Sequence, residues 1–416
     1  MTKFRFGYQD GDHAQLFFLC WVAYFSTYIC RLNYSAVMPE ISAAGLYGES
    51  QIAAVSSAFF ICYGAGQLFS GSIGDRISPR IMIFWGVAIS AISNILIFFF
   101  YDSFAALLLL WGINGAVQSM VWSPVLRVAG EYFCEKEKNK FGIDISTTVP
   151  LGTLASYGVS LVTVLVLPWR FVFLTCGAVV LLAAIYWWLG TKRVMRRLQV
   201  NPSGDAPAGY ASLQPKKLFK LLLSCGVLLA LVSIMIQGTL KDSVTQWIPT
   251  FLSQGYHTGT GVSLALTMIL PIINVTGAYF AKALFKKLPN EMTVSAVFFA
   301  VAGVFLILLT MFGQKNLVLA LVCMAGVTNC MFAINVMLIT MVPLRFSVYG
   351  RVSTVAGLLN ATAYIGCGVL NLAAGSLLEH GGNWHALFVL WLALAWVAVA
   401  VTLVCAGLWK RFSKKA

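Results

Sequence analysis

Two cations in otherwise apolar stretches carry most of the chemical information in this chain. Arg31 and Lys241 are each followed eight residues later by a proline (Pro39, Pro249) and forty-eight later by another (Pro79, Pro289). One shift of 210 positions therefore superposes three landmarks of the first half on three of the second. A cation inside a bilayer costs roughly 2.5–3.5 kcal/mol on insertion scales, so it marks a substrate or ion path by default. A symmetric pair points to a site shared by the two halves of an anion carrier. Arg31 offers planar, bidentate donors suited to phosphate or carboxylate and does not deprotonate, whereas Lys241 offers a compact point charge.

Helical spacing sorts the neighbouring polar residues. Tyr24, Tyr28, Arg31 and Ser35 form one stripe, with Asn33 opposite Arg31. Ser233, Gln237, Lys241 and Thr245 run at four-residue steps. Asn114, Gln118 and Trp122 line a third face, and Ser353, Asn360, Tyr364 and Asn371 a fourth; these last two stripes read equally well as hydrogen-bonding glue between helices. The expected binding set is thus Arg31, Lys241, Tyr24, Tyr28, Gln237, Thr245, Asn114, Gln118, Trp122, Asn360 and Tyr364. Asp144 and Asp242 are read either as proton carriers or as resting counter-charges for the two cations. Asp242 adjoins Lys241 but is rotated about 100° from it, so the two need not share a wall. Asp75, Arg76 and Arg127 read as a gate or latch.

These residues need helices long enough to hold them at membrane depth. The 416 residues are 59% hydrophobic and only 10% charged, and the mean hydropathy is +0.84. Twelve apolar spans are predicted, near 14–38, 51–74, 81–100, 104–130, 141–167, 169–190, 218–252, 260–285, 292–312, 316–343, 351–378 and 385–409. Each is long enough to cross a hydrocarbon core of about 30 Å, and backbone groups in lipid must be satisfied within the segment. The expected fold is an all-α integral membrane bundle of twelve helices in two pseudo-symmetric halves, 1–190 and 218–416. A basic, then Pro/Gly/Ala/Ser-rich linker, 191–217, joins them.

Of the 28 basic residues, 23 lie in the termini and the loops on the same side; only Arg170 and Lys315 lie in the opposite loops. That asymmetry places both termini in the cytoplasm. The net charge of +14 is then an orientation signal facing anionic lipid rather than a nucleic-acid footprint. No cleavable signal peptide is read at the N-terminus. The ten cysteines are scattered without CxxC or Cys/His spacing, so neither metal nor disulfide is expected. No phosphate loop or nucleophile–base pair stands out, which argues against an enzyme or an ATP-driven pump, and no cofactor is expected.

The stretch Tyr24-Phe-Ser-Thr-Tyr28-Ile-Cys-Arg31-Leu-Asn33-Tyr-Ser-Ala-Val-Met-Pro39 resembles helix 1 of the organophosphate:phosphate antiporter family, carriers of the major facilitator fold. Gly71 to Arg80 resembles that superfamily's loop between helices 2 and 3. Trp122-Ser-Pro124 with Arg127 resembles the family's helix 4, and Trp247-Ile-Pro249-Thr-Phe-Leu252 its helix 7 exit. The resemblance implies exchange of glycerol-3-phosphate or hexose-6-phosphate for inorganic phosphate. It also implies a phosphoryl group held by Arg31 and position 241, with Tyr24 and Tyr28 beside it. This chain departs from the family in having Lys rather than Arg at 241. It also has Gln67 where glycerol-3-phosphate carriers have a lysine, and Thr147 or Thr148 near a family histidine.

The expectation is a monomeric carrier in a bacterial inner membrane that exchanges a small organic phosphate for inorganic phosphate by alternating access. Two alternatives stay open. One is a proton-coupled organic anion symporter using Asp144 or Asp242. The other is a transporter-like sensor of external sugar phosphate.

Overall fold

The computed structural model describes residues 8, 11–73, 77–134, 137, 140–141, 144–145, 147–198, 214–346, 349, 352–379 and 383–413. Among them twelve helices are long and apolar enough to span a membrane: α1 Gly11–Ala43, α2 Glu49–Ser70, α3 Pro79–Phe100, α4 Phe104–Ala129, α5 Thr148–Val166, α6 Phe171–Arg197, α7 Val227–Tyr256, α8 Thr260–Lys287, α9 Glu291–Phe312, α10 Leu317–Met341, α11 Thr354–Leu378 and α12 Trp384–Phe412. Their starts follow ordinary capping chemistry. Pro79 opens α3, where its missing N–H is no loss. Asn290 Oδ1 accepts from the N–H groups of Met292 and Thr293 at the head of α9, and Asn316 Oδ1 from Leu319 N–H at the head of α10. Basic pairs Arg196/Arg197, Lys286/Lys287 and Lys410/Arg411 fill the last turns of α6, α8 and α12, where the helix dipole favours cations.

Three expected boundaries shift. The apolar run from 218 is two helices, because Gly226 adopts φ +81 and breaks the chain between a short helix, Pro215–Ser224, and α7. Helix α5 begins at Thr148 rather than near 141, leaving Asp144 before it. Helix α6 also runs past 190 to Arg197, since TKRVMRR contains no breaker.

The chain packs as two compact units. One comprises Met1–Val37 with Ala65–Ala208, and the other Met38–Gly64 with Gly209–Ala416. In the first unit α3 packs on α4 and α6. In the second, α9 packs on α10 and α12, and α7 packs on α11. The outward faces stay apolar: Phe99, Leu109, Leu165, Val166 and Leu189 are all exposed. Such surface is stable only in lipid, and the chain is an integral membrane protein.

Candidate functional site

The first unit gathers the predicted residues of α1 and α4 around one guanidinium. Arg31 is only 4% exposed. Its Nε donates to Gln118 Oε1 at 3.1 Å, and its Cζ lies 4.7 Å from the centre of the Tyr28 ring. Tyr28 meets Tyr24 edge-on at 5.7 Å, and Tyr24 lies against Trp122 at 4.7 Å. The result is a cation faced by the Tyr28 ring with Tyr24 and Trp122 packed behind it, a cation–ring contact worth about 0.5–2 kcal/mol.

A glycine makes this packing possible. A Cβ on Gly152 would lie 2.7 Å from Tyr28 Cβ and 2.9 Å from the Phe25 carbonyl, so only glycine lets α5 press this closely on α1. One turn later Ser156 Oγ donates to the Ile29 carbonyl at 3.0 Å.

Asn114 and Gln118 turn toward the α1 backbone. Asn114 Nδ2 donates to the Cys30 carbonyl at 2.7 Å, and Gln118 Nε2 donates to the same oxygen at 3.2 Å. Sequence spacing placed both on the path-facing stripe but did not reveal that their amides close on the main chain beside Arg31. Asn33, Ser90 and Asn94, which complete the same buried network, were not among the expected site residues. Their only sequence signal is polarity inside apolar helices.

The second unit holds the other cation. Lys241 Nζ lies 3.3 Å from Asp242 Oδ2, with side-chain exposures of 16% and 24%, and 5.5 Å from the centre of the Tyr364 ring. Adjacent residues on a helix diverge by about 100°, but a four-carbon stem lets the ammonium reach back across that angle. Tyr364 itself packs on Tyr63 at 4.5 Å. Gly238 brings α7 this close to α11: a Cβ there would sit 2.4 Å from the Ala363 carbonyl. Gln237 is buried; its Nε2 donates to the Met331 carbonyl at 3.0 Å, while its Oε1 has no hydrogen-bond partner among the described residues. Thr245 Oγ1 donates to the Lys241 carbonyl at 2.7 Å. Asn360 is half-buried on α11.

The remaining predicted residues fall elsewhere. Asp144 Oδ2 accepts from Lys140 Nζ at 2.5 Å and from Tyr8 OH at 3.2 Å. Burial, followed by the Asp144 charge, pushes the Tyr8 phenol well above its usual range. Arg127 Nη1 donates to the Ile77 carbonyl at 3.0 Å, tying the end of α4 to the loop after α2. Asp75 and Arg76 lie outside the described residues. No group of three or more His, Cys, Asp or Glu able to hold a metal occurs among the described residues.

Twelve apolar helices with a ring-faced arginine on the first define an integral membrane protein of the carrier class. The comparisons give the family: residues 20–361 match the Major Facilitator Superfamily, and the chain belongs to it. It is 30% identical over 139 residues to a probable hexose phosphate transport protein of Chlamydia trachomatis, covering 33% of this chain and 30% of that protein. It is 24% identical over 257 residues to the glycerol-3-phosphate transporter of Bacillus subtilis, covering 58% of this chain and 57% of that protein. The matched stretches thus span from about a third to just over half of these relatives. The crystal structure of a D-xylose-proton symporter shares the fold, with a TM-score of 0.71 at 14% identity over 96% of this chain and 97% of that one.

Proposed function

We propose that this protein is a secondary transporter of small phosphorylated organic anions that exchanges them for inorganic phosphate. The observation that carries this reading is the buried guanidinium of Arg31, held by Gln118 and faced by Tyr28. A planar fork of donors in a low-dielectric setting binds a tetrahedral oxyanion through two oxygens. The phosphate-transporting relatives support the same substrate class. Arg31 in the first unit and Lys241 in the second are each an anion-binding cation in this reading, and at Lys241 an anion displaces Asp242. Reorientation is favoured when the anion occupies its site, and transport proceeds as exchange. Both termini face the cytoplasm and the working unit is a monomer.

The cluster of Asp144 with Lys140 and Tyr8 gives that carboxylate a structural occupation, which weighs against the proton-symport alternative. The test is counterflow in liposomes loaded with unlabelled phosphate. Uptake of labelled phosphate without a proton gradient, competed by glycerol-3-phosphate or a hexose phosphate, supports exchange. Uptake that appears only when the outside is acidified identifies a symporter. Saturable ligand binding with no flux identifies a sensor.

A further inference from the structure

Helix α1 is broken one residue before its cation. Cys30 has φ −88 and ψ 15, a non-helical pair inside an otherwise helical run. Proline does not explain it, because Pro39 withdraws its hydrogen bond from a carbonyl four residues before itself, at Ser35. Beside the break lies a ring of buried amides and a hydroxyl. Tyr34 N–H, whose helical acceptor is the Cys30 carbonyl, donates to Asn33 Oδ1 at 3.1 Å. Asn33 Nδ2 donates to Asn94 Oδ1 at 2.8 Å, and Asn94 Nδ2 to the Ser90 carbonyl at 2.9 Å. Ser90 Oγ then donates to Asn114 Oδ1 at 2.6 Å. Asn114 Nδ2 closes the circuit on the Cys30 carbonyl. Asn33, Ser90, Asn94 and Asn114 are all 0% exposed.

A network this polar inside an apolar bundle costs stability unless each group is satisfied. Simple helix-to-helix glue would not have to end on one carbonyl. Here two side chains converge on the Cys30 oxygen, and one of them, Gln118, also accepts from Arg31 Nε. We propose that Asn33 is a positioning residue for anion binding: it holds α1 broken at Cys30, so that the Cys30 carbonyl fixes Gln118 and Gln118 fixes the plane of the Arg31 guanidinium. A bidentate fork rewards such fixation, because both oxygens of the anion are met without further ordering of the side chain. The transport consequence rests on the proposed phosphate chemistry; the geometry of α1 does not.

The test is Asn33→Leu, which keeps the branched four-atom skeleton of the side chain and removes both polar atoms. In phosphate-loaded liposomes the variant should raise the KM for labelled phosphate about tenfold or more, the worth of one well-placed charged hydrogen bond, with maximal exchange within about twofold of the parent. A cryo-EM structure of the variant should show Cys30 in helical geometry and Arg31 parted from Gln118. An unchanged KM overturns the proposal. So does a broken Cys30 with Arg31 still on Gln118, or a loss of maximal rate and melting temperature with no change in KM. If Asn33→Leu does not insert in the membrane, Asn33→Ser, which also lacks the oxygen facing Tyr34 N–H, is measured in the same two ways. If the parent protein exchanges no phosphate, the proposed function falls, and the structure of the variant alone decides the role of Asn33.

Discussion

At the scale of single residues, the two cations have different electrostatic surroundings. Arg31 is gripped by a neutral amide and faced by an aromatic ring, whereas Lys241 rests on a carboxylate 3.3 Å away. On the proposed function, an incoming anion competes with Asp242 for Lys241. Replacing Asp242 with Asn removes the competitor, and the KM for phosphate should fall about threefold, in line with a partly exposed ion pair; an unchanged or higher KM argues that the pair serves folding instead. The Tyr24–Tyr28–Arg31 stripe was legible from helical spacing alone, because a period of 3.6 residues puts all three on one face. The Lys241–Asp242 pair was not legible, because spacing fixes where a Cβ points and not where a flexible stem ends. Asn33 escaped for the same reason: it lies opposite Arg31, and its effect passes through the backbone.

At the scale of elements, two close helix approaches position these groups, and each depends on a missing Cβ. Gly152 admits α5 to the backbone behind Tyr28, and Gly238 admits α11 to the backbone beside Lys241. A Gly238→Val variant forces α7 and α11 apart at the Ala363 carbonyl. Overpacking of this kind costs about 1–3 kcal/mol, so the melting temperature in detergent should drop by several degrees and Tyr364 should move off Lys241. A variant that melts with the parent would show that the contact is loose. The twelve helices were legible because each is a long apolar run that lipid forces to be helical. The break at Gly226 was hidden inside such a run, since hydropathy does not report a positive φ.

At the scale of the whole molecule, the C-terminal end of α1 and most of α2 group with the second half of the sequence: Met38–Gly64 packs with Gly209–Ala416. A 210-residue repeat suggests a division at the linker and gives no sign of this exchange. Its basis is a set of buried polar contacts. Asn371 Nδ2 donates to Ser56 Oγ at 2.8 Å, and Asn371 Oδ1 accepts from Trp247 Nε1 at 2.8 Å and Ser243 Oγ at 3.1 Å. Farther along, Gln254 Nε2 donates to Glu49 Oε1 at 2.8 Å. Replacing Asn371 with Leu strands several of these groups at about 1–3 kcal/mol each. The melting temperature should fall while the KM for phosphate stays at the parent value. A KM change without a loss of stability would move Asn371 from scaffold to site.

The proposed anion site depends first on Arg31. The most direct measurement is labelled phosphate exchange by the parent and the Arg31→Lys variant, side by side in phosphate-loaded liposomes at neutral pH without a proton gradient. Lysine keeps the charge and removes the fork, so the parent should exchange and the variant should lose at least about tenfold in KM or fall silent. Exchange by Arg31→Lys at the parent's KM and rate would contradict the assignment of the anion to the guanidinium of α1.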